Sequence, residues 1–417
     1  MADGERASTF VKSIRLLVTR RFGTFWFASL LSSIGTWAQQ VAQPWLLLSL
    51  GASSFLLGLD TFAMGAPVFL FTLAGGVLAD RADRRRVIAL FQSIQMLCPV
   101  VVVVLLLAGT VQPWIIIALS LVVGITDALS MPSFQTIVPS IVRREEIPTA
   151  TALNSTQFNL SRILGPAVAG VLMASVGAMG AFVVSAVSYV PFIFAALWVL
   201  PKATASAPPR SGFDRHQLIL GVRQIAEEPI LRGALLTVLV TSLLCAPLVT
   251  FCPVLIKYGF QGNVGHFSLA VGAFGVGGLL GATGLLTVDP TRDRRPLSSW
   301  LGAAYGMVVL LSALTHWFWA LPVLFVLAGL SMTVSNSSAN ALLLMAAPAR
   351  MRGQTVSLYM LAMRGGAAVG SLITGVSVSV LGVREALFVN GALALLAQVA
   401  IARVWRRAPA SARDISS

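Results

Sequence analysis

Charged side chains are scarce in this sequence of 417 residues, and their scarcity limits what kind of protein it can be. Asp, Glu, Lys and Arg make up 11% of the chain, against roughly 25% in soluble globular domains. Hydrophobic residues make up 57%, mostly in runs of about 20, the length needed to cross a hydrocarbon core of about 30 Å. A soluble globular protein is therefore excluded, and the composition predicts a helical membrane protein.

Histidine and cysteine, which often bind metals or act as nucleophiles, are also rare. The three histidines have no zinc-ligand spacing, and the three cysteines lie within apolar runs, where they are expected to pack as small apolar side chains. No Gly-x-x-x-x-Gly-Lys-Ser/Thr loop occurs, so the sequence offers no evident ATP site. We expect no enzyme activity, no catalytic residues, no metal and no cofactor.

Acidic residues are outnumbered by basic ones, 15 to 29, so the formal net charge is +14. Nearly all the cations are arginines, and they fall in short clusters between apolar runs. This pattern indicates membrane topology rather than a nucleic-acid partner, because arginine-rich loops stay in the cytoplasm. It predicts a multi-pass protein of the bacterial inner membrane with both termini and the long central loop in the cytoplasm. The first 21 residues carry both charge signs and precede a long apolar run with no small-residue cleavage site, so we expect no cleaved signal peptide.

Twelve apolar segments are long enough for transmembrane helices, and a polar stretch separates the first six from the last six. We predict an all-α membrane protein with twelve transmembrane helices in two pseudo-symmetric six-helix halves. The halves are residues 1–200 and 233–417, the second with a cytoplasmic tail, and residues 201–232 form a cytoplasmic linker. We expect a monomer in the lipid bilayer. The predicted helices are 22–48, 55–78, 87–108, 113–137, 150–175, 178–200, 233–256, 266–288, 297–315, 318–345, 354–379 and 383–403.

The loop after the second predicted helix carries a specific pattern of glycine, aspartate and arginine. The residues that we expect to form a gating loop are Gly76, Asp80, Arg81, Asp83, Arg84 and Arg85. The string resembles the signature cytoplasmic loop of the major facilitator superfamily, although Asp83 stands where that pattern usually has glycine. An aspartate among arginines can bond to a neighbouring helix end. The resemblance implies alternating access around a midplane site; the alternative is that the arginines only set topology.

The fifth predicted helix contains the pattern Gly165-Pro166-x-x-x-Gly170. It resembles a fifth-helix motif of the antiporter branches of the superfamily. Together with residues 132–139, it makes the chain similar to the branch of the enterobactin exporter and Tap-type multidrug pumps. Many drug antiporters carry an arginine where this chain has Ser120, so that arginine's proton-relay role is not implied here. A packing kink with no bearing on transport direction is the alternative.

Ionisable side chains inside a membrane are costly and usually functional. Asp127 lies about 15 Å and Arg162 about 18 Å from the cytoplasmic ends of their predicted helices, so we predict a pair with Asp127 as the leading proton-coupling group. A permanently paired structural charge is the alternative. Asp60 is a third proton-coupling candidate, but its predicted place near the outer headgroups favours hydration, or capping by Ser53 and Ser54.

Polar side chains on the first predicted helix recur at intervals of three and four, which places them on one face. Such a stripe is expected to face a water-filled cavity, and Trp37 beside it offers a ring on which a flat substrate can stack. Hydrogen bonding between helices is the alternative. With residues of the tenth and eleventh helices, the substrate-cavity candidates are Ser32, Thr36, Trp37, Gln39, Gln40, Gln43, Asn336, Asn340 and Arg364.

These features predict a secondary active transporter that exports a small amphipathic or aromatic, drug-like molecule in exchange for protons. A dedicated siderophore exporter is one alternative, because Arg162 and Arg364 would offer positive charge to an anionic cargo. A non-transporting membrane receptor or assembly factor is an alternative from another class. It would be expected to have a filled cavity or an extra folded domain.

Overall fold

A computed structural model describes residues 14–135, 137–200, 227–286, 288, 293–347 and 352–407. Within these ranges the regular structure is helical and there is no strand. Ten stretches of helix among the described residues are long and apolar enough to cross a membrane. The prediction of an all-helical membrane protein is therefore confirmed. Most of the predicted linker, residues 201–226, lies outside the described residues.

The helices up to residue 200 follow the predicted segments, with one difference in the second. The predicted helix 55–78 is interrupted at Ala66, because Pro67 has no backbone N–H and begins a new helix there. The helices are α1 (Phe22–Ser49), α2 (Ser54–Gly65), α3 (Pro67–Arg81), α4 (Arg84–Leu107), α5 (Pro113–Gln135), α6 (Ile137–Ile141), α7 (Ile147–Ser175) and α8 (Ala178–Val199).

Two of the later predicted helices are interrupted by π-helical turns, in which the backbone hydrogen bonds span five residues instead of four. The elements are α9 (Pro229–Val240), π1 (Thr241–Cys245), α10 (Pro247–Thr250), α11 (Cys252–Val254), π2 (Leu255–Gly259), α12 (Val264–Leu286), α13 (Arg295–Leu314), α14 (Ala320–Ala346), α15 (Arg352–Met360), π3 (Leu361–Gly365), α16 (Gly366–Leu381) and α17 (Val383–Arg407).

The ten apolar spans leave out α1 and α7, which are 28 and 29 residues long. Each carries polar side chains through its middle, such as Gln39 and Gln43 in α1 and Gln157 and Arg162 in α7. The two helices are long enough to cross a membrane, but these side chains lower their mean hydropathy. At 1.5 Å per residue, each helix extends about 40 Å.

The described residues of Met1–Leu56, Ala63–Arg210 and Gly262–Gly272 form one compact unit. In it α1 packs against α7 and α8, α3 against α5, and α4 against α5 and α8. Gly75 of α3 lies against the Leu129 backbone of α5, and Gly124 of α5 lies against the Met64 backbone of α2. Any side chain at either glycine would collide with those backbone atoms.

The described residues of Leu57–Phe62, Ser211–Gln261 and Ala273–Ser417 form a second compact unit. In it α13 packs against α14 and α17, and α9 packs against the same two helices. Gly277 of α12 and Gly329 of α14 each lie against a backbone carbonyl of the other helix, as Gly75 and Gly124 do in the first unit. The contacts of α13 with α14 and α17 correspond in chain order to those of α4 with α5 and α8.

Arg384, at the start of α17, binds the ends of two other elements. Its guanidinium donates to the carbonyls of Ala313 and Thr315 at the end of α13, and to the Gly259 carbonyl of π2. It also lies 4.9 Å from the centre of the Phe260 ring. Carbonyls at helix ends lack backbone donors, so this one cation satisfies several of them and holds three elements together.

Candidate functional site

The contact between α1 and α7 is built around Trp37. Phe158 packs edge-on to the Trp37 ring at 6.1 Å between centroids, and the Arg162 guanidinium lies 5.5 Å from the ring centre. One turn further on, Gly165 lies against the Trp37 Cβ, where any side chain would collide. Residues 158, 162 and 165 follow the spacing of one helix face, so the predicted fifth-helix motif brings an arginine onto an aromatic ring.

Gln157 fixes how α7 sits along α1. Its Nε2 donates to Ser33 Oγ at 2.9 Å and to the Ser29 carbonyl at 3.2 Å, and its Oε1 accepts from Ser29 Oγ at 3.4 Å. One turn earlier, Trp26 Nε1 donates to the Leu153 carbonyl at 2.8 Å. The sequence analysis missed Gln157, although a glutamine in an apolar helix is itself a signal of a polar contact.

On its other side α1 is bonded to α8. Ser185 donates to Gln39 Oε1 at 2.7 Å, and Thr36 donates to the Tyr189 hydroxyl at 3.3 Å or to the Ser32 carbonyl at 3.0 Å. Gly35 lies against Ser188 of α8 and lets the helices approach closely. The sequence analysis also missed Ser185 and Tyr189, because it did not consider the polar residues of α8.

Gln43, the last residue of the predicted polar stripe, is bonded to α5. It is 8% exposed, donates from Nε2 to Ser120 Oγ at 2.8 Å, and accepts from Gln39 at 3.4 Å. Ser120 is the position at which many drug antiporters carry an arginine. Here a buried amide occupies the space beside it.

The predicted stripe therefore divides into two groups. Thr36, Gln39 and Gln43 make the contacts between helices that the alternative interpretation described, and Ser32 is also buried. Trp37 is half-buried and Gln40 is exposed. The assignment of these residues to a substrate cavity stays a prediction. Trp37 and Gln40 suit it best, because their side chains are the accessible ones.

Asp127 is half-buried on α5, in the neighbourhood of Tyr189 of α8. The neighbouring Thr126 accepts a hydrogen bond from Gln95 of α4 at 3.2 Å. Arg162 is also half-buried, and its described contact is with Trp37. The pairing of Asp127 with Arg162 stays a prediction.

Asp60 is only 5% exposed, and this corrects the favoured interpretation that it is hydrated. It lies on α2 within the second compact unit. Two residues earlier, Gly58 lies against the Ser371 carbonyl of α16. A buried carboxyl remains a proton-coupling candidate.

Three candidates lie on the helices of the second unit. Asn336 and Asn340 are half-buried on α14, and Arg364 is half-buried within π3. The Thr241 hydroxyl, at the start of π1, lies 3.2 Å from Asn336 Oδ1 and also 2.9 Å from the Thr237 carbonyl. A hydroxyl has one proton to donate, so Thr241 binds either its own helix or Asn336 at one time.

Two residues of the predicted gating loop, Asp83 and Arg85, cap helix ends, and the gating role of the loop stays a prediction. Asp83 is the N-cap of α4 and accepts from the Arg85 backbone N–H at 3.1 Å, and Arg85 Nη1 donates to the Leu197 carbonyl of α8 at 3.1 Å. Asp293 accepts in the same way from the Arg295 N–H at 2.9 Å. Arg84 is half-buried. Gly76, Asp80 and Arg81 lie in α3, and their side chains are outside the described residues.

The departure from the superfamily pattern at Asp83 thus has a physical reason. Aspartate is among the best N-cap residues, and glycine is a weaker one.

The described part of the chain contains no group of three histidine, cysteine, aspartate or glutamate side chains that could hold a metal ion.

The family described as transmembrane secretion effector matches residues 13–417 of this chain. The staphyloferrin A transporter of Staphylococcus aureus is 26% identical over 257 residues, which are 61% of this chain and 64% of that protein. The multidrug efflux pump Tap of Mycolicibacterium fortuitum is 28% identical over 278 residues, 64% of this chain and 67% of that protein. The enterobactin exporter EntS of Salmonella typhimurium is 25% identical over 281 residues, 66% of each. The chain spans about two thirds of the length of these relatives.

Solved transporter structures share the fold. The nucleoside transporter NupG superimposes with a TM-score of 0.70 at 12% identity, over 94% of this chain and all of that one. A POT family transporter in complex with a thioalcohol conjugated peptide gives 0.73 at 13% identity, over 93% of this chain and 96% of the other. At these identities the likeness shows the fold alone.

Proposed function

Because the chain belongs to the transmembrane secretion effector family of the major facilitator superfamily, we propose that it is a secondary active exporter working by alternating access. Its substrate is a small amphipathic or aromatic, drug-like molecule. We propose further that α1 and α7 join the ten apolar spans to give twelve transmembrane helices in two six-helix halves, 1–200 and 233–417. The corresponding helix pairs of the two compact units support this repeat.

The same proposal includes where the protein resides. It is a monomer in the bacterial inner membrane, and both termini and the linker 201–232 face the cytoplasm. The arginine clusters support this orientation, because positively charged loops are retained on the cytoplasmic side.

The observation that carries the proposed substrate class is the stack of Arg162 on Trp37. An arginine midway along a membrane-length helix is expensive to hold, so such residues usually face protein interior or a water-filled path. Both side chains are half-buried, so part of the ring and part of the guanidinium are accessible. A flat molecule with an aromatic face and a polar edge fits such a surface, because it can stack on the ring and bond to the cation.

Proton antiport is the proposed energy source, with Asp127 as the titrating group and Arg162 as its partner. In this mechanism the ionised Asp127 carboxylate attracts the guanidinium, and protonation releases it. The substrate and the proton would then favour different arrangements of Arg162. Such competition for one cation couples an outward movement of substrate to an inward movement of protons.

The test is accumulation of a fluorescent cationic dye in cells that express the protein, with and without a protonophore. We expect lower accumulation than in control cells, and we expect the protonophore to abolish the difference. Asp127→Asn should remove the effect at normal membrane levels. Asp293→Asn is the matched control, because it also removes a carboxylate but keeps an oxygen that can accept from the Arg295 N–H. Normal protonophore-sensitive export by Asp127→Asn would overturn the coupling role.

A dedicated siderophore exporter is a second candidate, favoured by the accessible guanidinium of Arg162 and by the names of two relatives. Arg364, within π3, supplies a second positive charge to an anionic cargo. In that case deletion of the gene would lower siderophore secretion and iron-limited growth but leave dye accumulation unchanged. A drug exporter would show the opposite pattern.

A further inference from the structure

Three buried polar side chains form a directed chain of hydrogen bonds between α4 and α5. Gln92 donates to Gln95 Oε1 at 3.1 Å, and Gln95 donates to Thr126 Oγ1 at 3.2 Å. The single hydroxyl proton of Thr126 is then donated to the Val122 or the Val123 carbonyl of its own helix, each 2.9 Å away. All three residues are buried: Gln92 is 7% exposed, Gln95 5% and Thr126 4%.

This chain of bonds lies deep in the helices and ends one residue before Asp127. Counted from Arg84 and Gln135, the helix ends at the arginine-rich side, Gln95 and Thr126 are both about 14–17 Å along their helices. Polar groups at such depth are costly unless they are bonded. Donors that all point the same way also strengthen one another in a low-dielectric interior.

Close packing and hydrogen bonding constrain the position of α5 in different ways. Gly75 of α3 lies against the Ala128 and Leu129 carbonyls, which sets how near α3 and α5 approach. Such close contacts set the distances between helices more than the rotation of α5 about its own axis. The bond from Gln95 to Thr126 is directional and holds that rotation.

We propose that Gln95, supported by Gln92, is the positioning residue for Asp127 in proton coupling. By fixing the rotation of α5, the bond to Thr126 fixes where the Asp127 carboxyl group points. This inference rests on the proposed function, in which Asp127 takes up and releases the transported proton.

The expected effect follows from helix geometry. A side-chain atom about 5–6 Å from the helix axis moves by about 2 Å when the helix turns by about 20°. Proton transfer requires heavy atoms about 2.6–3.2 Å apart, and a misplacement of about 1 Å can cost about a hundredfold in rate. Loss of the Gln95 bond should therefore impair proton coupling more than substrate movement.

The experiment uses the full-length protein in liposomes with ethidium as the probe, in two modes. One mode measures ethidium transport driven by a pH gradient; the other measures ethidium counterflow with no gradient. We expect Gln95→Leu to lower gradient-driven transport at least about tenfold at near-normal counterflow. Gln92→Leu, which leaves the bond to Thr126 in place, should have a smaller effect of about threefold. Ser93→Ala is the matched control, since Ser93 donates to Ala89 of its own helix.

Each outcome decides the matter. Equal losses in both modes would mean that Gln95 is structural only, and unchanged gradient-driven transport by Gln95→Leu would also overturn the inference. If Gln95→Leu does not reach the membrane, Gln92→Leu tests the inference in its place, again by comparing gradient-driven transport with counterflow. A wild type that ignores the pH gradient would overturn the proposed function, and this inference with it.

Discussion

The hydrogen bond between Gln43 and Ser120 offers a direct test of what the polar stripe of α1 does. The perturbation is a double-mutant cycle of Gln43→Met, which keeps the side-chain length, and Ser120→Ala, which removes the hydroxyl. If Gln43 binds α5, the two changes share one interaction and their effects on stability are not additive. If Gln43 instead lines a substrate cavity, the effects add and transport falls without loss of stability.

The magnitude follows from the geometry of the bond. At 2.8 Å, between residues that are 8% and 4% exposed, the bond is short and shielded. Side-chain hydrogen bonds in membrane bundles average about 0.6 kcal/mol in such cycles, with a maximum of about 1.7. The short distance and the burial place this bond in the upper part of that range, so we expect a coupling of about 1 kcal/mol.

Buried cysteines provide the assay. Cys98 of α4 is 4% exposed, and Cys245 and Cys252 are fully buried, so a thiol-reactive fluorogenic dye reports unfolding. Replacing Cys245 and Cys252 by alanine leaves Cys98 as the only thiol, in the same compact unit as Gln43. A loss of 1 kcal/mol lowers the Tm by about 2–4 °C in a unit of about 200 residues. Additive Tm changes, with Gln43→Met as stable as the wild type, would refute the reasoning.

Two further predictions use the same assay. Asp83→Ala should destabilise the protein by about 0.5–2 kcal/mol, because the N-cap of α4 is lost, whereas Asp83→Asn keeps the cap and should change stability by a few tenths of a kcal/mol; equal effects would contradict the capping role. Gly165→Ala should destabilise by about 1–3 kcal/mol by driving a Cβ into Trp37, whereas Gly272→Ala, where no atom lies within 4 Å of the added Cβ, should be neutral or stabilising. A neutral Gly165→Ala would contradict the close contact of α1 and α7.

The family and the helical class were predictable from the sequence because both depend on strong, redundant signals. The resemblance to the major facilitator superfamily, drawn from the loop around Asp83 and the Gly165–Gly170 motif, is confirmed by the family match and by the relatives. The prediction of a transporter rather than an enzyme is confirmed on the same grounds. Apolar length also predicted most helix positions to within a few residues.

Interruptions within helices were not predictable from hydropathy. A π-helical turn changes which backbone groups bond, and it leaves the apolar pattern of the segment unchanged, so π1 and π3 leave no signal in an apolar run. The break at Ala66 was marked by Pro67, but prolines also lie inside continuous helices, as Pro166 does in α7. Only the packing around a proline decides between these outcomes.

The partners of polar residues were the least predictable part of the site. Helical spacing predicted that Thr36, Gln39 and Gln43 share a face, but it could not say that α5 and α8 would meet that face. Depth along α2 suggested a hydrated Asp60, whereas the residue is only 5% exposed. Such contacts join residues that are far apart in the chain, and a single sequence carries no signal of them.

The polar middles of α1 and α7 also have a consequence for biogenesis. A helix with several polar side chains at its centre enters the bilayer poorly by itself, and the partners of α1 lie in helices that follow it, including Gln157 of α7 and Ser185 of α8. Roughly 100 residues separate Ser49 from Ile147, which a ribosome needs about 5–20 s to translate. During that interval α1 must wait at the insertion machinery or beside α2–α5. Stable entry of the first helix into lipid therefore depends on a helix that is synthesised later.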